Sequence, residues 1–370
     1  MGSQYTPSTP SLDLPRLAST LRDSLPFSGT LQQCVPLAGD ASNRRYYRVH
    51  LSEAPIHSLI VMQLADAEGF KASEEAVSGK EPEISELPFI NVLKHLRAVD
   101  VPVPVLYFYD EAGGFLFLED FGDVTLAQAC QGVSADIIER QYRQAIDVLV
   151  QLHVQASVPS ATSCLAFSRS FDVPLYLWEF DHFLEYGVVA RQGKPMCAED
   201  LLPVQEEFQN IAEWLGGQTT VFTHRDYHSR NLMVDGERIG VIDFQDALFG
   251  PATYDLASLL RDSYIALDES LIDSLLAYYR ERMCLALPTS RHAALLLDDA
   301  QAFRQLFDYS SIQRNLKAAG RFVYIDRVKG NPNFLASIPR TLHNVRANLL
   351  KYPQLHRVLT HLSPYVPEWQ

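Results

Sequence analysis

The sequence lacks the features that would place it in a membrane or in an oxidising compartment. Its five cysteines are scattered and form no C-x-x-C pair, which indicates free thiols in a reducing compartment and neither a disulfide frame nor a metal site. No apolar run reaches the roughly 18 residues that a membrane span needs. The first ten residues contain neither the basic nor the apolar segment of a signal peptide. We therefore expect a cytoplasmic protein.

Basic residues are also too few to indicate a nucleic-acid partner. Acidic residues number 45 and basic residues 31, so the formal net charge is −14, and no long run of lysine or arginine occurs. This balance argues against nucleic acid or an anionic membrane as the main partner. It is compatible with a nucleotide, whose phosphates can be held by a metal ion and backbone N–H groups. We expect small-molecule partners and take a monomer as the working expectation for the oligomeric state.

The 370 residues, 47% of them hydrophobic, suffice for two lobes with a shared cleft. Strand-like alternation dominates residues 30 to 120, as in Tyr47, Val49 and Leu51, and one helix is expected at 88–98. After residue 121 the pattern is mostly helical. We therefore predict an α+β fold with an N-terminal extension (1–29), a small antiparallel-sheet lobe containing one helix (30–121) and a larger helical lobe (122–370). Strands are predicted at 35–38, 44–51, 58–64, 101–105 and 113–119, and later helices at 134–150, 175–187, 204–215, 253–262, 271–284 and 292–319.

The most informative stretch is 221–246, in which two apolar runs flank a predicted β-hairpin with an Asp-Gly turn. Its first polar cluster is His224-x-Asp226-x4-Asn231, and its second begins at Asp243. Asp226 can accept a proton from a substrate hydroxyl, while Asn231 and Asp243 offer hard oxygen ligands to Mg²⁺ on a nucleotide. This spacing is that of a protein-kinase-like catalytic loop and metal-binding loop. We group His224 with Asp226 as the residue that braces the catalytic loop.

Two other segments are candidates for nucleotide binding. The turn between the first two strands can fold over phosphates through backbone N–H groups, although an ordinary β-turn is the alternative. An apolar strand near residue 120 can present its backbone edge to a purine ring, with a simple buried edge strand as the alternative. The residues concerned are Gly39, Ala41, Ser42, Asn43 and Arg44 in the turn, and Glu119, Asp120 and Phe121 at the strand.

Three polar residues flank the catalytic and metal residues in the sequence and are candidates for substrate contact. They are His228, Arg230 and Asp246. The alternative is that each is an ordinary solvent-facing side chain.

One kinase feature is missing. A lysine that holds the α- and β-phosphates would stand on the third strand, but the chain has Gln63 in that region. A glutamine supplies no charge, so either Mg²⁺ neutralises the phosphates alone or another cation does so. The candidates for that cation are Arg44, Arg45, Arg48 and Lys71.

The whole chain resembles the aminoglycoside-phosphotransferase-like kinases, and several stretches resemble a bacterial group of anomeric sugar kinases in cell-wall recycling. These stretches are Asp40–Val49, Phe117–Gly122, Ile242–Ala247, Gly250–Asp255, Leu259–Asp262 and Gln313–Gly320.

The resemblance implies a two-lobed protein-kinase-like fold and a kinase with ATP as co-substrate and Mg²⁺ as cofactor. It implies that Asp226 is the catalytic base, that Asn231 and Asp243 are metal ligands, and that Glu119–Phe121 forms the nucleotide hinge. The acceptor would be an amino sugar. The best match is an N-acetylated amino sugar that is phosphorylated at its anomeric hydroxyl. Two alternatives stay open, namely a phosphotransferase for aminoglycosides or other small alcohols and a nucleotide-binding pseudokinase.

Overall fold

In the computed structural model, which describes residues 13–37, 44–64, 86–159 and 163–370, the strands near the N-terminus form one antiparallel sheet. Its spatial order is β1-β2-β3-β5-β4. Val49 pairs with Leu59, and Val61 pairs with Phe117, so apolar residues of neighbouring strands are directly opposite. The strands are β1 (Thr30–Pro36), β2 (Arg45–Ser52), β3 (Ser58–Gln63), β4 (Leu106–Asp110) and β5 (Phe115–Glu119).

The first helix, α1 (Leu14–Asp23), shares the core of this sheet. Asp13 caps it by accepting a hydrogen bond from the Arg16 backbone N–H at 3.0 Å. Leu17 and Leu21 are buried against the apolar face of the sheet, and burial of each such side chain stabilises the fold by about 1.5–3 kcal/mol. This helix therefore packs as part of the sheet unit.

The strand predicted at 101–105 is wrong, because β4 begins only at Leu106. Pro102 and Pro104 have no backbone N–H and cannot complete a sheet ladder. The Pro102 carbonyl instead accepts a hydrogen bond from the Val241 N–H at 2.8 Å. The apolar alternation of this segment therefore reflects burial in an irregular segment.

The chain divides into two compact units, one drawn from Met1–Glu68 and Pro104–Asp120 and the other from Gly69–Val103 and Phe121–Gln370. The second unit is mostly helical. Its short strands form an antiparallel β6–β9 pair and a β7–β8 hairpin. Its elements are α2 (Pro88–Ala98), α3 (Leu126–Ala129), α4 (Ala135–Gln155), α5 (Val173–His182) continued by a π-helix (Phe183–Ala190), α6 (Ala198–Gly216), β6 (Thr220–Thr223), β7 (Leu232–Asp235), β8 (Arg238–Val241), β9 (Leu248–Pro251), α7 (Ala252–Leu260), α8 (Glu269–Ala286), α9 (Ala300–Lys329), α10 (Ile338–Lys351) and α11 (His356–Leu362).

The sequence grouped α2 with the sheet, but its contacts lie in the helical unit. The Phe89 ring packs against the Phe244 ring with centroids 4.9 Å apart. The Asn91 side chain donates to the Ser163 carbonyl at 2.9 Å and accepts from the Leu165 N–H at 2.7 Å. Helix α2 is therefore held beside the loop that begins at Asp243.

The helix predicted at 292–319 is displaced, because α9 runs from Ala300 to Lys329. Leu296 has a φ of 56°, which interrupts the helical backbone before this point. Asp299 then caps the new helix by accepting from the N–H groups of Gln301 and Ala302. The correction matters because α9 carries residues that reach the candidate active site.

The described residues contain no helix that is both long enough and apolar enough to cross a membrane. All five cysteines are free, as predicted. Cys284 is not isolated, however, because its sulfur and ligand atoms of His292 and Asp298 lie within 4.8 Å of one another.

Candidate active site

The catalytic loop follows β6 and has an unusual backbone conformation at its second residue. Arg225 has a φ of 81°, a region that costs a non-glycine residue roughly 1–3 kcal/mol. The Asp255 carboxylate on α7 compensates for this strain. It accepts the His224 N–H at 2.7 Å and the Arg225 N–H at 2.8 Å. These two hydrogen bonds fix the backbone of the two residues that precede Asp226.

His153 orients Asp255 from α4. Its Nε2 lies 3.2 Å from Asp255 Oδ2, and its Nδ1 lies 2.7 Å from the Tyr279 hydroxyl. His153, Asp255 and Tyr279 are all buried, and a buried polar chain of this kind is rigid only when its members are bonded. His153 therefore acts through Asp255 on the loop backbone.

His224 connects the two predicted motifs. Its Nδ1 accepts the Asp226 N–H at 3.3 Å, so this nitrogen carries no proton. Its Nε2 then donates to the Ile242 carbonyl at 3.0 Å. Ile242 in turn donates its N–H to the Asn231 carbonyl at 3.1 Å. His224 thus ties Asp226 to the residue that precedes Asp243.

Asn231 and Asp243 lie together at the two ends of the β7–β8 hairpin. Asn231 Nδ2 donates to the Asp226 carbonyl at 2.9 Å and lies 3.5 Å from Asp243 Oδ2. The amide oxygen of Asn231 has no hydrogen-bond donor among the described residues. Asp243 is exposed, and its φ of 64° turns the chain away from the strand. An amide oxygen and a carboxylate in this arrangement fit a Mg²⁺ ion.

Two residues that the sequence reasoning missed complete the surroundings of Asp226. Lys317 on α9 places its Nζ 3.7 Å from Asp226 Oδ1 and 3.9 Å from Glu179 Oε1. Glu179 on α5 is fully buried, and it accepts from Arg225 at 2.7 Å and from Gln313 at 2.6 Å. Gln313 and Lys317 lie four residues apart within the string that carried part of the resemblance, but no role was assigned to either.

This charge cluster determines the protonation of Asp226. Burial alone would raise the pKa of Asp226, but the ammonium of Lys317 and the guanidinium groups of Arg314 and Arg225 outweigh it and lower the pKa below its ordinary value. Burial raises the pKa of Glu179, and Lys317 only partly offsets this effect. Asp226 is therefore ionised at neutral pH, the form that accepts a proton.

The predicted substrate residues fall on two sides of the catalytic loop. His228 is half-buried, and burial followed by the charge of Arg314 lowers its pKa to about 3, so that it is neutral. The Arg230 guanidinium stacks on the Tyr264 ring at 3.6 Å from the centroid. Asp246 lies near Asp243 instead, since Gln245 donates to both Asp243 and Asp246 at 2.8 Å and 3.2 Å.

The predicted nucleotide residues are only partly described. Gly39, Ala41, Ser42 and Asn43, like Lys71, lie outside the described residues, and the description resumes at Arg44.

The side chains of the predicted hinge have partners of their own. Glu119 Oε2 accepts the Val105 N–H at 3.1 Å. Asp120 binds Arg48 through two hydrogen bonds of 2.7 Å and 3.0 Å. Among the candidate replacement cations, Arg48 is thereby bound to an acid of its own unit.

Phe121 and Gln63 also have structural partners. The Phe121 ring lies against the β7–β8 hairpin, where a Cβ added to Gly240 would approach it to 2.6 Å. The hydroxyl of Tyr47 lies 3.4 Å from Gln63 Oε1, at the position where a lysine was missing.

Comparisons with known proteins place this geometry among phosphate-transferring enzymes. A family model described as "Phosphotransferase enzyme family" matches residues 33–293. An N-acetylmuramate/N-acetylglucosamine kinase from Neisseria meningitidis is 31% identical over 322 residues, which cover 86% of each chain. An enzyme of the same name from Pseudomonas putida is 28% identical over 322 residues, 86% of this chain and 84% of the relative.

Solved structures show the same fold at lower sequence identity. A gentamicin complex of APH(2")-IIa gives a TM-score of 0.58 at 14% identity and covers 95% of this chain and 99% of that chain. The choline kinase LicA from Streptococcus pneumoniae gives a TM-score of 0.56 at 14% identity, with 90% and 97% covered. With the five-stranded antiparallel sheet and the helical remainder, these likenesses confirm the predicted α+β kinase-like fold.

Proposed function

We propose, from the premise that the chain belongs to the phosphotransferase enzyme family, that it transfers the γ-phosphoryl group of ATP to a sugar. The acceptor is N-acetylmuramate or N-acetylglucosamine, and the reacting group is the anomeric hydroxyl. Membership of the family confirms the predicted class of enzyme. The acceptor is proposed because relatives carrying both sugars in their name are 26–31% identical over most of the chain.

The observation that carries the proposal is the ionised Asp226 beside Lys317. An anomeric hydroxyl is more acidic than an ordinary sugar alcohol, so a carboxylate with a lowered pKa suffices to accept its proton. The Lys317 ammonium, 3.7 Å from Asp226 Oδ1, restricts the orientation of the carboxylate. The hydrogen bonds of Asp255 to the loop backbone hold both the base and the following residues in position.

Asn231 and Asp243 are the proposed ligands of the metal. The Asn231 amide oxygen and the Asp243 carboxylate would hold Mg²⁺. When bound, the ion neutralises charge on the nucleotide phosphates. Gln245 restrains the Asp243 carboxylate by donating to its Oδ1 at 2.8 Å.

The nucleotide part of the proposal keeps the predicted residues. Backbone groups of the 39–43 turn would contact phosphates, and the backbone at Glu119–Phe121 would contact the purine. We also keep the predicted division into 1–29, 30–121 and 122–370, with α2 now assigned to the helical lobe, and a cytoplasmic location and a monomeric chain as parts of this proposal.

A cationic acceptor fits the second unit poorly. Four basic side chains act on the pKa of Asp226 or on that of its near neighbour His228. They are Arg225, Arg230, Arg314 and Lys317. Because like charges repel at short range, these side chains disfavour a polycationic aminoglycoside or a choline-like acceptor. A pseudokinase is disfavoured because Asp226, Asn231 and Asp243 are all present and lie together.

The test is an assay of product identity. The protein is incubated with Mg·ATP and either N-acetylhexosamine, and phosphorus NMR is expected to show a sugar phosphate coupled to the anomeric proton. The methyl glycoside of N-acetylglucosamine is the matched control, because it differs only at the blocked anomeric oxygen, and it is expected not to react. Phosphorylation of the methyl glycoside at its 6-position, or ADP release only with aminoglycosides, would refute the proposal.

A further inference from the structure

Arg314 on α9 is a buried cation that has no carboxylate at ion-pair distance among the described residues, although its charge acts on Asp226, Glu179 and Asp262 from farther away. The residue is 4% exposed, and within the described ranges its side chain makes one hydrogen bond, from Nη1 to the neighbouring Asn315 Oδ1 at 3.3 Å. Across the described ranges no carboxylate oxygen lies within 4.0 Å of its guanidinium. Arg304 on the same helix is different, because it forms ion pairs with Glu269, Asp273 and Asp308. A buried guanidinium with no carboxylate in direct contact is only partly compensated, which indicates a function in binding an anion.

The position of Arg314 directs this charge toward the catalytic loop. Arg314 and Lys317 are three residues apart on one helix and share a face, and Lys317 lies 3.7 Å from Asp226 Oδ1. The Arg314 charge also acts on the loop, since it helps to lower the pKa of Asp226 and the pKa of His228. Arg314 therefore lies close to the point at which the acceptor hydroxyl must meet Asp226.

His228 offers a further polar group at the same place. Its Nδ1 is buried and has no hydrogen-bond partner within the part of the chain that the structure describes. An imidazole N–H can donate a hydrogen bond to an anion, so this unpartnered nitrogen fits an anionic ligand. Its ring contacts the edge of the Tyr264 ring at a centroid distance of 5.4 Å.

Arg230 contributes a second cation. Its guanidinium lies 3.6 Å from the centroid of the Tyr264 ring and 6.0 Å from that of Phe334. Over the residues described, no acid approaches it within ion-pair distance. Stacking on an aromatic ring fixes the plane of a guanidinium while leaving its N–H groups available. Arg230 is thus positioned by Tyr264 for a ligand.

We propose that Arg314, assisted by His228 and Arg230, binds a carboxylate of the acceptor sugar beside Asp226. This inference rests on the proposed function. It narrows the preferred acceptor to N-acetylated amino sugars that carry an acidic substituent. N-acetylmuramate has such a carboxylate on its lactyl group, whereas N-acetylglucosamine does not. A planar guanidinium binds a carboxylate through two parallel hydrogen bonds. The transferring phosphoryl group is the other anion that could occupy this place, and the two sources predict different kinetics.

The test compares two acceptors in two variants. Arg314→Gln removes the charge and keeps a polar side chain, and Arg304→Gln is the matched control on the same helix. The measured quantity is the ratio of kcat/KM for N-acetylmuramate to kcat/KM for N-acetylglucosamine. We expect this ratio to fall roughly 10- to 100-fold in Arg314→Gln, the size of a lost hydrogen bond between charged groups. The ratio is expected to stay constant in Arg304→Gln.

A second measurement uses only the wild-type protein, so it does not depend on whether a variant folds. Calorimetric titration without ATP compares N-acetylmuramate with its carboxamide, and the carboxylate is expected to bind at least about 10-fold more tightly. Equal affinity for both compounds, or no binding of either, would overturn the inference. If Arg314→Gln lowered kcat/KM equally for both acceptors, Arg314 would act on the phosphoryl group. That result would also overturn the inference. If wild-type protein phosphorylates neither sugar, the proposed function fails, while the titration still decides the carboxylate site.

Discussion

The ion pairs of the sheet unit are closer than the contacts that Lys317 makes beside Asp226 in the helical unit. In the sheet unit, Asp120 is bound by two hydrogen bonds from Arg48, of 2.7 Å and 3.0 Å, and Asp110 by two from Arg16, of 2.5 Å and 2.6 Å. Around the catalytic loop of the helical unit, the contacts of Lys317 with carboxylates are 3.7 Å and 3.9 Å long. Charges that are paired closely stabilise the fold, whereas loosely paired charges remain available to a ligand.

Backbone strain is distributed in the same way. Arg225 and Asp243 both have positive φ angles and stand at the catalytic and metal loops of the helical unit. In the sheet unit the described non-glycine residue with positive φ is Glu53, which lies in the turn between β2 and β3. Strained residues persist only where the surroundings hold them, and here Asp255 provides two hydrogen bonds. The comparison indicates that the strained residues at the candidate active site lower the stability of the helical unit. Substitutions in both units test this difference.

The largest effect is expected from Asp226→Ala in the helical unit. Removal of the proposed general base should lower kcat by about 10²- to 10⁴-fold, because base catalysis contributes that much to proton transfer. Calorimetric titration should show Mg·ATP affinity close to that of the wild type. Turnover equal to wild type would remove Asp226 from the mechanism.

Asp243→Asn should have the next largest effect. Loss of a carboxylate ligand is expected to weaken Mg·ATP binding by roughly 10- to 100-fold, since a neutral amide attracts a divalent cation less strongly. The titration is repeated with Asp235→Asn, an exposed position on the same hairpin, as the control. Unchanged affinity in Asp243→Asn would show that this residue does not bind the metal.

In the sheet unit, Arg48→Met should affect stability and not chemistry. The Asp120 side chain, 5% exposed, would lose its counter-ion, and we expect the free energy of unfolding to fall by about 2 kcal/mol, between the values for exposed and buried pairs. Urea denaturation measures this change, with Arg16→Met as the comparison because the Arg16 side chain is 38% exposed. A larger loss for Arg16→Met would contradict the reading of Arg48 as a stabilising partner.

The smallest effect concerns pH and His182. Burial, then the charges of Arg321 and Lys317, lower the pKa of His182 from 6.5 to about 3. The folded protein therefore binds this proton less readily than the unfolded chain, so stability falls as the pH drops from 6.5 toward 3 and does not fall further below that. His182→Phe should reduce this dependence in urea midpoints, and a substitution at the exposed His57 measures the effect of removing any histidine. An unchanged pH profile in His182→Phe would refute the assignment.

The catalytic hairpin was predictable because its determinants are local. The apolar runs, the Asp-Gly turn and the spacing of Asp226, Asn231 and Asp243 all lie within one short stretch, and the structure brings these residues together as expected. Helix boundaries were less predictable. The displacement of α9 depended on Asp299 as a cap and on the backbone of Leu296, neither of which interrupts an apolar pattern. The strand expected at 101–105 failed because alternation alone does not reveal a missing ladder donor.

The sequence by itself determined the class of fold, the family and the residues that one hairpin joins, because hydrophobic period and motif spacing are properties of neighbouring residues. Only the tertiary structure decided which distant groups surround Asp226. Glu179 and Gln313 bond across 134 positions, and His153 reaches Asp255 across 102. Such contacts form when the helices pack, because buried charges need hydrogen bonds or opposite charges to compensate them. The same packing leaves Arg314 with no carboxylate at ion-pair distance in the described part of the chain, which no pattern in the sequence reveals.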